Sequence, residues 1–172
     1  MEAEMNSEHH DKSVPGGRDF GEASRFVTAH PIERVLSVAW EALEMDVAFV
    51  TEVVGDRLEF RAKEGDAESF GLETGDSIPL EESYCKRIID GRLPSAIPDT
   101  GADERTSDLE MTRKAGIGAY AGFPFRLSDG SVYGTLCCLS HSPDPWLRDR
   151  DLQLMGKLAL GLAARLEREG FL

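Results

Sequence analysis

Three cysteines, at positions 85, 137 and 138, have the widest chemical reach of any residues in this 172-residue chain. Cys137 and Cys138 are neighbours in the stretch "GTLCCLS". In an extended chain, adjacent side chains point to opposite sides of the sheet, so the two cannot ligate one metal from one face. No Cys-x-x-Cys spacing or clustered histidine completes a metal site. Both therefore read as small buried apolar side chains. Cys85 lies in "LEESYCKRIIDG". Beside Lys86 and Arg87 it could be a redox or chromophore-linking thiol, since cationic neighbours favour the thiolate. Its spacing to Ile88 and Ile89 equally puts it on the buried face of a helix. Asp99 could bind a ligand amine or cap the turn after it. Arg105 could clamp an anionic ligand or sit in a surface ion pair. His9-His10 could bind a metal, and His141 a haem, but both surroundings read as solvated. No Ser/His/Asp or paired-carboxylate arrangement is present, so no catalytic residue is expected and the chain reads as a non-enzyme.

The elements that must position these residues emerge from periodicity. Pro31 suits the first position of a helix, and Ile32, Val35, Leu36, Ala39, Trp40 and Leu43 continue it as an amphipathic stripe. A hairpin comes next, turning at Gly55-Asp56 and opposing Val53 to Leu58, Thr51 to Phe60 and Phe49 to Ala62, all on one face. Leu80, Tyr84 and Ile88 are four apart in a helix that Gly91 ends. Leu93 to Ile97 reads as a short strand. "SDLE" at 107–110 fits a capping box for a helix that stops at Gly116. A second hairpin turns at Asp129-Gly130, pairing Leu127 with Val132, Phe125 with Gly134, Phe123 with Leu136 and Ala121 with Cys138. Its other face pairs Pro124 with Thr135, Gly122 with Cys137 and Tyr120 with Leu139. Pro145 opens a long last helix carrying Leu152, Met155, Leu158, Leu162 and Leu166. The order predicts an α+β fold, an antiparallel sheet with N- and C-terminal helices on one face. The bulky side chains of the second hairpin belong under those helices. The small or hydroxylated ones, Gly122, Thr135 and Cys137 among them, leave room for a small-molecule pocket on the other face.

Composition bounds the partners. Thirty-two acidic against nineteen basic residues give a net charge of −13. That charge disfavours nucleic acid and anionic membrane, whose binding needs basic patches. No apolar run approaches the roughly 18–20 residues of a membrane span, and the start lacks a signal peptide's regions. Three cysteines make no disulfide framework, so a cytoplasmic setting is expected. Residues 1–24 carry six acidic and two basic residues and little apolar bulk. They read as a flexible acidic tail before a domain at 25–170.

The run from Leu93 to Ser140 resembles the GAF domain, a relative of PAS that serves as a sensory module in bacterial signalling proteins. The resemblance rests on Pro98-Asp99, Arg105, Gly116-Ile117, Tyr120-Ala121-Gly122, Pro124, Asp129-Gly130 and Gly134-Thr135-Leu136-Cys137 in order, and extends over about residues 26 to 168. It implies a ligand between the sheet and the irregular middle segment. By position this implicates Phe49, Thr51, Phe60, Tyr120, Gly122, Thr135, Cys137 and Leu139 on the sheet, closed over by Tyr84, Cys85, Ile88, Asp99 and Arg105. The ligand is a small molecule with no cofactor assigned. The resemblance also implies a signalling output domain or partner protein, such as a cyclic-di-GMP or histidine kinase module, and none accompanies the sensor within these residues. Three known subtypes match less well. The Asn-Lys…Phe…Asp-Glu signature of cyclic-nucleotide binders is absent. Bilin binders usually place a histidine directly after the linking cysteine, where this chain has Lys86. A free methionine sulfoxide reductase of this fold needs two thiols that meet, and Cys85 with Cys137 is the pair placed to do so. Finally, Leu154, Ala159-Leu160 and Ala163 widen the last helix's apolar surface beyond one stripe, which predicts a homodimer through the terminal helices.

Overall fold

The computed structural model describes residues 20–170, and within them the architecture is α+β. A helix α1 (Phe20–Leu43) leads into strands β1 (Val47–Val54), β2 (Arg57–Gly65) and β3 (Ser77–Pro79). After them come a short helix α2 (Tyr84–Ile89), strand β4 (Ala96–Ile97), helix α3 (Glu110–Lys114), strands β5 (Ala119–Arg126) and β6 (Val132–Ser140), and helix α4 (Asp149–Arg168). The strands form one six-stranded antiparallel sheet in the order β3-β2-β1-β6-β5-β4. The two hairpins thus meet along β1 and β6, which join residues far apart in the chain, such as Thr51 and Thr135, 84 positions apart.

Alternation along these strands makes two cores. Ala48, Val50, Ala121, Phe125, Leu136 and Cys138 face α1 and α4, which return Leu36, Ala39, Met155, Ala159, Leu162 and Leu166. Val47, Phe49, Leu58, Phe60, Tyr120, Cys137 and Leu139 face the other way, under α2 and the loops around it. Each large aliphatic side chain buried in this way stabilises by about 1.5–3 kcal/mol, so both faces contribute to holding the sheet.

The predicted hairpins form, with two local shifts. The turn at Gly55-Asp56 has two residues, with Gly55 at φ 61°, and opposes Val53 to Leu58 and Thr51 to Phe60 as expected. Beyond Thr51 the register slips: Val50 pairs with Ala62 and Phe49 with Lys63. Arg61 is the extra residue, and a one-residue bulge turns the remainder of β2 to the opposite face. Ala62 accordingly packs against the helix-side core instead of joining Phe49 and Phe60. The second hairpin pairs as predicted from Tyr120 to Phe125, but Arg126, not Leu127, opposes Val132. Leu127 N–H instead bonds Ser131 O at 2.9 Å and Gly130 N–H bonds Leu127 O at 2.9 Å. The loop therefore has three residues, with Gly130 at φ 85° in the left-handed position that such loops require.

The helix starts differ most. α1 runs from Phe20, so Pro31 sits inside it, and the helix enters the stretch 1–24 read as tail; residues 1–19, with His9 and His10, lie outside the described residues. Pro31 marked a permitted φ rather than a start. Pro145 precedes α4 by four residues, and the helix begins where the Asp151 carboxylate accepts the Arg148 N–H at 3.3 Å. Ser107 caps nothing: α3 starts at Glu110 behind Leu109, without a side-chain cap. The predicted helix after Leu80 splits into a 3-10 turn at Leu80–Glu82 and α2, because the Ser83 hydroxyl accepts Lys86 N–H at 3.1 Å and restarts the chain as an N-cap. Gly91 and Gly116 end α2 and α3 with positive φ, as expected.

A candidate ligand cavity over the sheet

Between the sheet and the middle segment lies a cavity of about 660 Å³, within the range of small-molecule sites. Phe49, Leu58, Phe60, Tyr120 and Leu139 form its floor, and Phe70, Ile78, Leu109, Met111 and Ile117 its walls. Tyr84 and Cys85 enter from α2, and Arg87 and Lys114 stand at its margin with Glu81, Glu82 and Glu110. Lys114 is paired with Glu110 at 2.6 Å. The buried Nε of Arg87 has no hydrogen-bond partner among the described residues.

The middle segment has little regular structure, so buried hydroxyls hold it in place. The Thr112 hydroxyl donates to Thr106 O at 2.6 Å, leaving its oxygen to accept from the Tyr84 hydroxyl. The Thr106 hydroxyl donates to Thr100 O at 2.7 Å, and Thr100 in turn to Ile117 O. This ladder ties α2, through α3 and the loop before it, to the segment before β5. The Tyr84 and Tyr120 rings meet edge to face, centroids 4.9 Å apart. His141 closes one end: its Nδ1–H donates to Gly116 O at 2.7 Å, its Nε2 meets Ser69 Oγ at 2.8 Å, and its ring stacks on Phe70 at 3.8 Å. His141 is exposed, as expected, and both of its ring nitrogens are nonetheless engaged.

Under the cavity floor lies a polar cluster. Thr135 N–H donates to Thr51 Oγ1 at 3.2 Å, and the two threonine hydroxyls are 2.7 Å apart. The Thr135 hydroxyl donates to Cys85 Sγ at 3.0 Å. Cys137 Sγ lies 3.7 Å from Cys85 Sγ, 3.3 Å from Thr135 Oγ1 and 3.2 Å from the Tyr120 hydroxyl. Donors therefore converge on the Cys85 sulfur. The Cys137 hydrogen bond, chiefly, draws the Cys85 thiol below its ordinary range, with Thr135 adding to it against the opposing effect of burial. Burial pushes Cys137 and Tyr120 well up. Cys138, on the helix face, is pushed up to about 12 by burial alone.

Of the residues assigned to the site from sequence, Phe49, Phe60, Tyr84, Cys85, Tyr120 and Leu139 line the cavity. Thr51, Thr135 and Cys137 are fully buried beneath it, and Ile88 packs behind Cys85. The room expected over Gly122 is filled, because a side chain there would strike the Tyr120 ring. Asp99 and Arg105 are not on the wall. Asp99 Oδ1 accepts the N–H groups of Gly101 and Ala102, each at 3.1 Å, and so caps its own turn. Arg105 forks onto Asp103 at 2.6 and 2.9 Å with its side chain 54% exposed. Leu58 was legible, since it shares a face with Thr51 and Phe60. Phe70, Ile78, Leu109 and Met111 carry no periodic signal, because their elements are too short to repeat a period.

A GAF domain family model matches residues 31–166. The chain belongs to the GAF family. Among its relatives are diguanylate cyclase DgcP of Escherichia coli, 26% identical over 80% of this chain, and a cyclic di-GMP phosphodiesterase of Pseudomonas aeruginosa, 27% identical over 78%. The chain spans 40% and 22% of the lengths of those two proteins. Similar solved structures include the GAF domain region of a Geobacter sulfurreducens protein, with a TM-score of 0.68 at 20% identity, covering 87% of this chain and 99% of that one. The blue-light absorbing form of the Thermosynechococcus elongatus PixJ GAF domain gives 0.62 at 19%, covering 87% and 92%. The GAF-B domain of DevS from Mycobacterium smegmatis gives 0.62 at 18%, covering 83% and 95%. These likenesses show the GAF fold. No described helix is long and apolar enough to cross a membrane.

Proposed function

We propose that this GAF domain senses a small molecule and transmits its binding through the terminal helices to an output module, without catalysis of its own. The cavity carries the reading. Its floor is apolar and preformed, and the Arg87 side chain stands at its margin as a cation for a ligand acceptor. The relation to cyclic di-GMP enzymes supports an output of that class. The sensory unit is the domain read at 25–170 together with the start of α1, and limited proteolysis should remove the acidic stretch only as far as Phe20.

Transmission is assigned to a homodimer through α1 and α4. Val38 on α1 is 45% exposed and Leu160 on α4 is 70% exposed, both turned away from the sheet, as a second contact requires. Sedimentation should give a dimer, and charge substitutions at Leu154 and Leu160 should give a monomer; an unchanged monomer at the outset removes this route.

Native mass spectrometry of protein purified from its own host tests the sensor reading directly. It should show a retained small molecule that Ala115→Trp, filling the cavity from the end of α3, displaces. An empty cavity in every preparation, with no small molecule shifting the melting temperature, would reject it.

A further inference from the structure

We infer that Cys85 and Cys137 form a dithiol site that a small hydroperoxide, entering the ligand cavity, converts to a disulfide. Cys85 lines the cavity and Cys137 lies directly behind it, absent from the wall and fully buried. The two sulfurs are already 3.7 Å apart, although 52 positions separate the residues. The Thr135 hydroxyl donates to Cys85 Sγ at 3.0 Å, and so stabilises negative charge on the one sulfur that the cavity reaches. The position is therefore asymmetric: an attacking thiol at the wall and a resolving thiol behind it, the arrangement of peroxide-sensitive cysteines.

The chemistry balances in two steps. The Cys85 thiolate attacks one peroxide oxygen, the O–O bond breaks, and the leaving oxygen departs as water or an alcohol after taking up the proton Cys85 gave up. Cys85 is now a sulfenic acid. The Cys137 sulfur attacks the Cys85 sulfur, the S–O bond breaks, and the hydroxyl leaves as water with the Cys137 proton. Two thiols are oxidised by two electrons and one peroxide is reduced. Closing the gap from 3.7 Å to the S–S bond length of about 2.05 Å draws α2 toward β6, which withdraws Cys85 from the cavity wall. Oxidation would thus alter the same cavity that the proposed ligand occupies, whatever that ligand is.

Cys138 is a built-in control. It occupies the other face of the sheet, in the apolar core with Ala48, Val50 and Leu136. The test is hydrogen peroxide added in slight excess to the folded protein, then denaturing alkylation and peptide mass mapping without reductant. The expected result is loss of two of the three free thiols, one linked peptide pair joining Cys85 to Cys137, and Cys138 fully alkylated. Cys137→Ala should stop the reaction at a Cys85 sulfenic acid that dimedone traps, and Cys138→Ala should react as the parent does. Mapping of the unmodified sequence decides the matter even if Cys137→Ala does not fold. Linkage through Cys138, over-oxidation of Cys85 without linkage, or three free thiols after treatment would overturn the proposal. Oxidation by free methionine sulfoxide but not by peroxide would overturn it as well, and would make the domain a reductase.

Discussion

Cys137 and Cys138 are neighbours in the chain and inhabit different chemistries. Cys138 faces the helices, in the apolar core with Ala48, Val50, Ala121 and Leu136. Cys137 faces the cavity, within reach of Cys85, Thr135 and Tyr120. One residue of strand separates a dry core, which only fills space, from a polar cluster that places a thiol beside a cavity. Pleating alone makes this possible, because it sends consecutive side chains into separate environments. The helix face should therefore respond to lost volume, and the cavity face to lost hydrogen bonds.

The largest effect should come from Leu136→Ala on the helix face. Its side chain is fully buried, and the resulting cavity should cost about 2–5 kcal/mol in chemical denaturation. A cost near zero would mean that the helices do not pack tightly on the sheet. One position away, Thr135→Val keeps the volume and removes the hydroxyl. It leaves Thr51 Oγ1 only the backbone of residue 135, and should cost about 0.5–1.5 kcal/mol. It should also raise the pH at which Cys85 ionises, read by the rate of alkylation from the cavity. An unchanged Cys85 titration would break the claim that Thr135 supports the thiolate.

The dry face sharpens the comparison at alkaline pH. Cys138 is pushed up to about 12 in the folded protein, from 9.0 unfolded. Between those values the unfolded chain has released a proton that the folded chain retains, so stability falls as pH rises, by up to about 1.4 kcal/mol per pH unit from this group. Stability is fully present below pH 9, and Tyr133, also raised to about 12 by burial, adds to the same decline from 10.0 upward. Cys138→Ala should flatten the decline above pH 9 in equilibrium denaturation, and an identical slope would contradict it. The smallest effect should come from Arg105→Ala, whose exposed pair with Asp103 lies on neither face. It should leave both melting temperature and ligand retention unchanged. Lost retention would return Arg105 to the site.

The Asp129-Gly130 turn located the sheet's second hairpin, and period-two alternation gave each of its side chains a face. Where alternation failed it did so at single residues: Arg61 bulges, and the 128–130 loop takes one residue more than a two-residue turn. A bulge is energetically small and is decided by how the neighbouring strands and turns fit, which no local pattern records. The same holds for Asp99 and Arg105, whose types suit ligands as well as turns and ion pairs. Their own neighbours, the Gly101 and Ala102 N–H groups and the Asp103 carboxylate, satisfied them locally.

By itself, then, the sequence determined the two hairpins, the face of every residue from Tyr120 to Phe125, and the opposition of Cys137 to Cys138, because strand geometry acts between near neighbours. Only the tertiary structure decided that Cys85 meets Cys137, that Tyr120 fills the space over Gly122, and that a ladder of Thr112, Thr106 and Thr100 holds the cavity wall. Most of these contacts cross between elements or run along a loop, where no local period says which side chains meet. Their partners are chosen by which groups burial leaves without water, and that is a property of the folded chain.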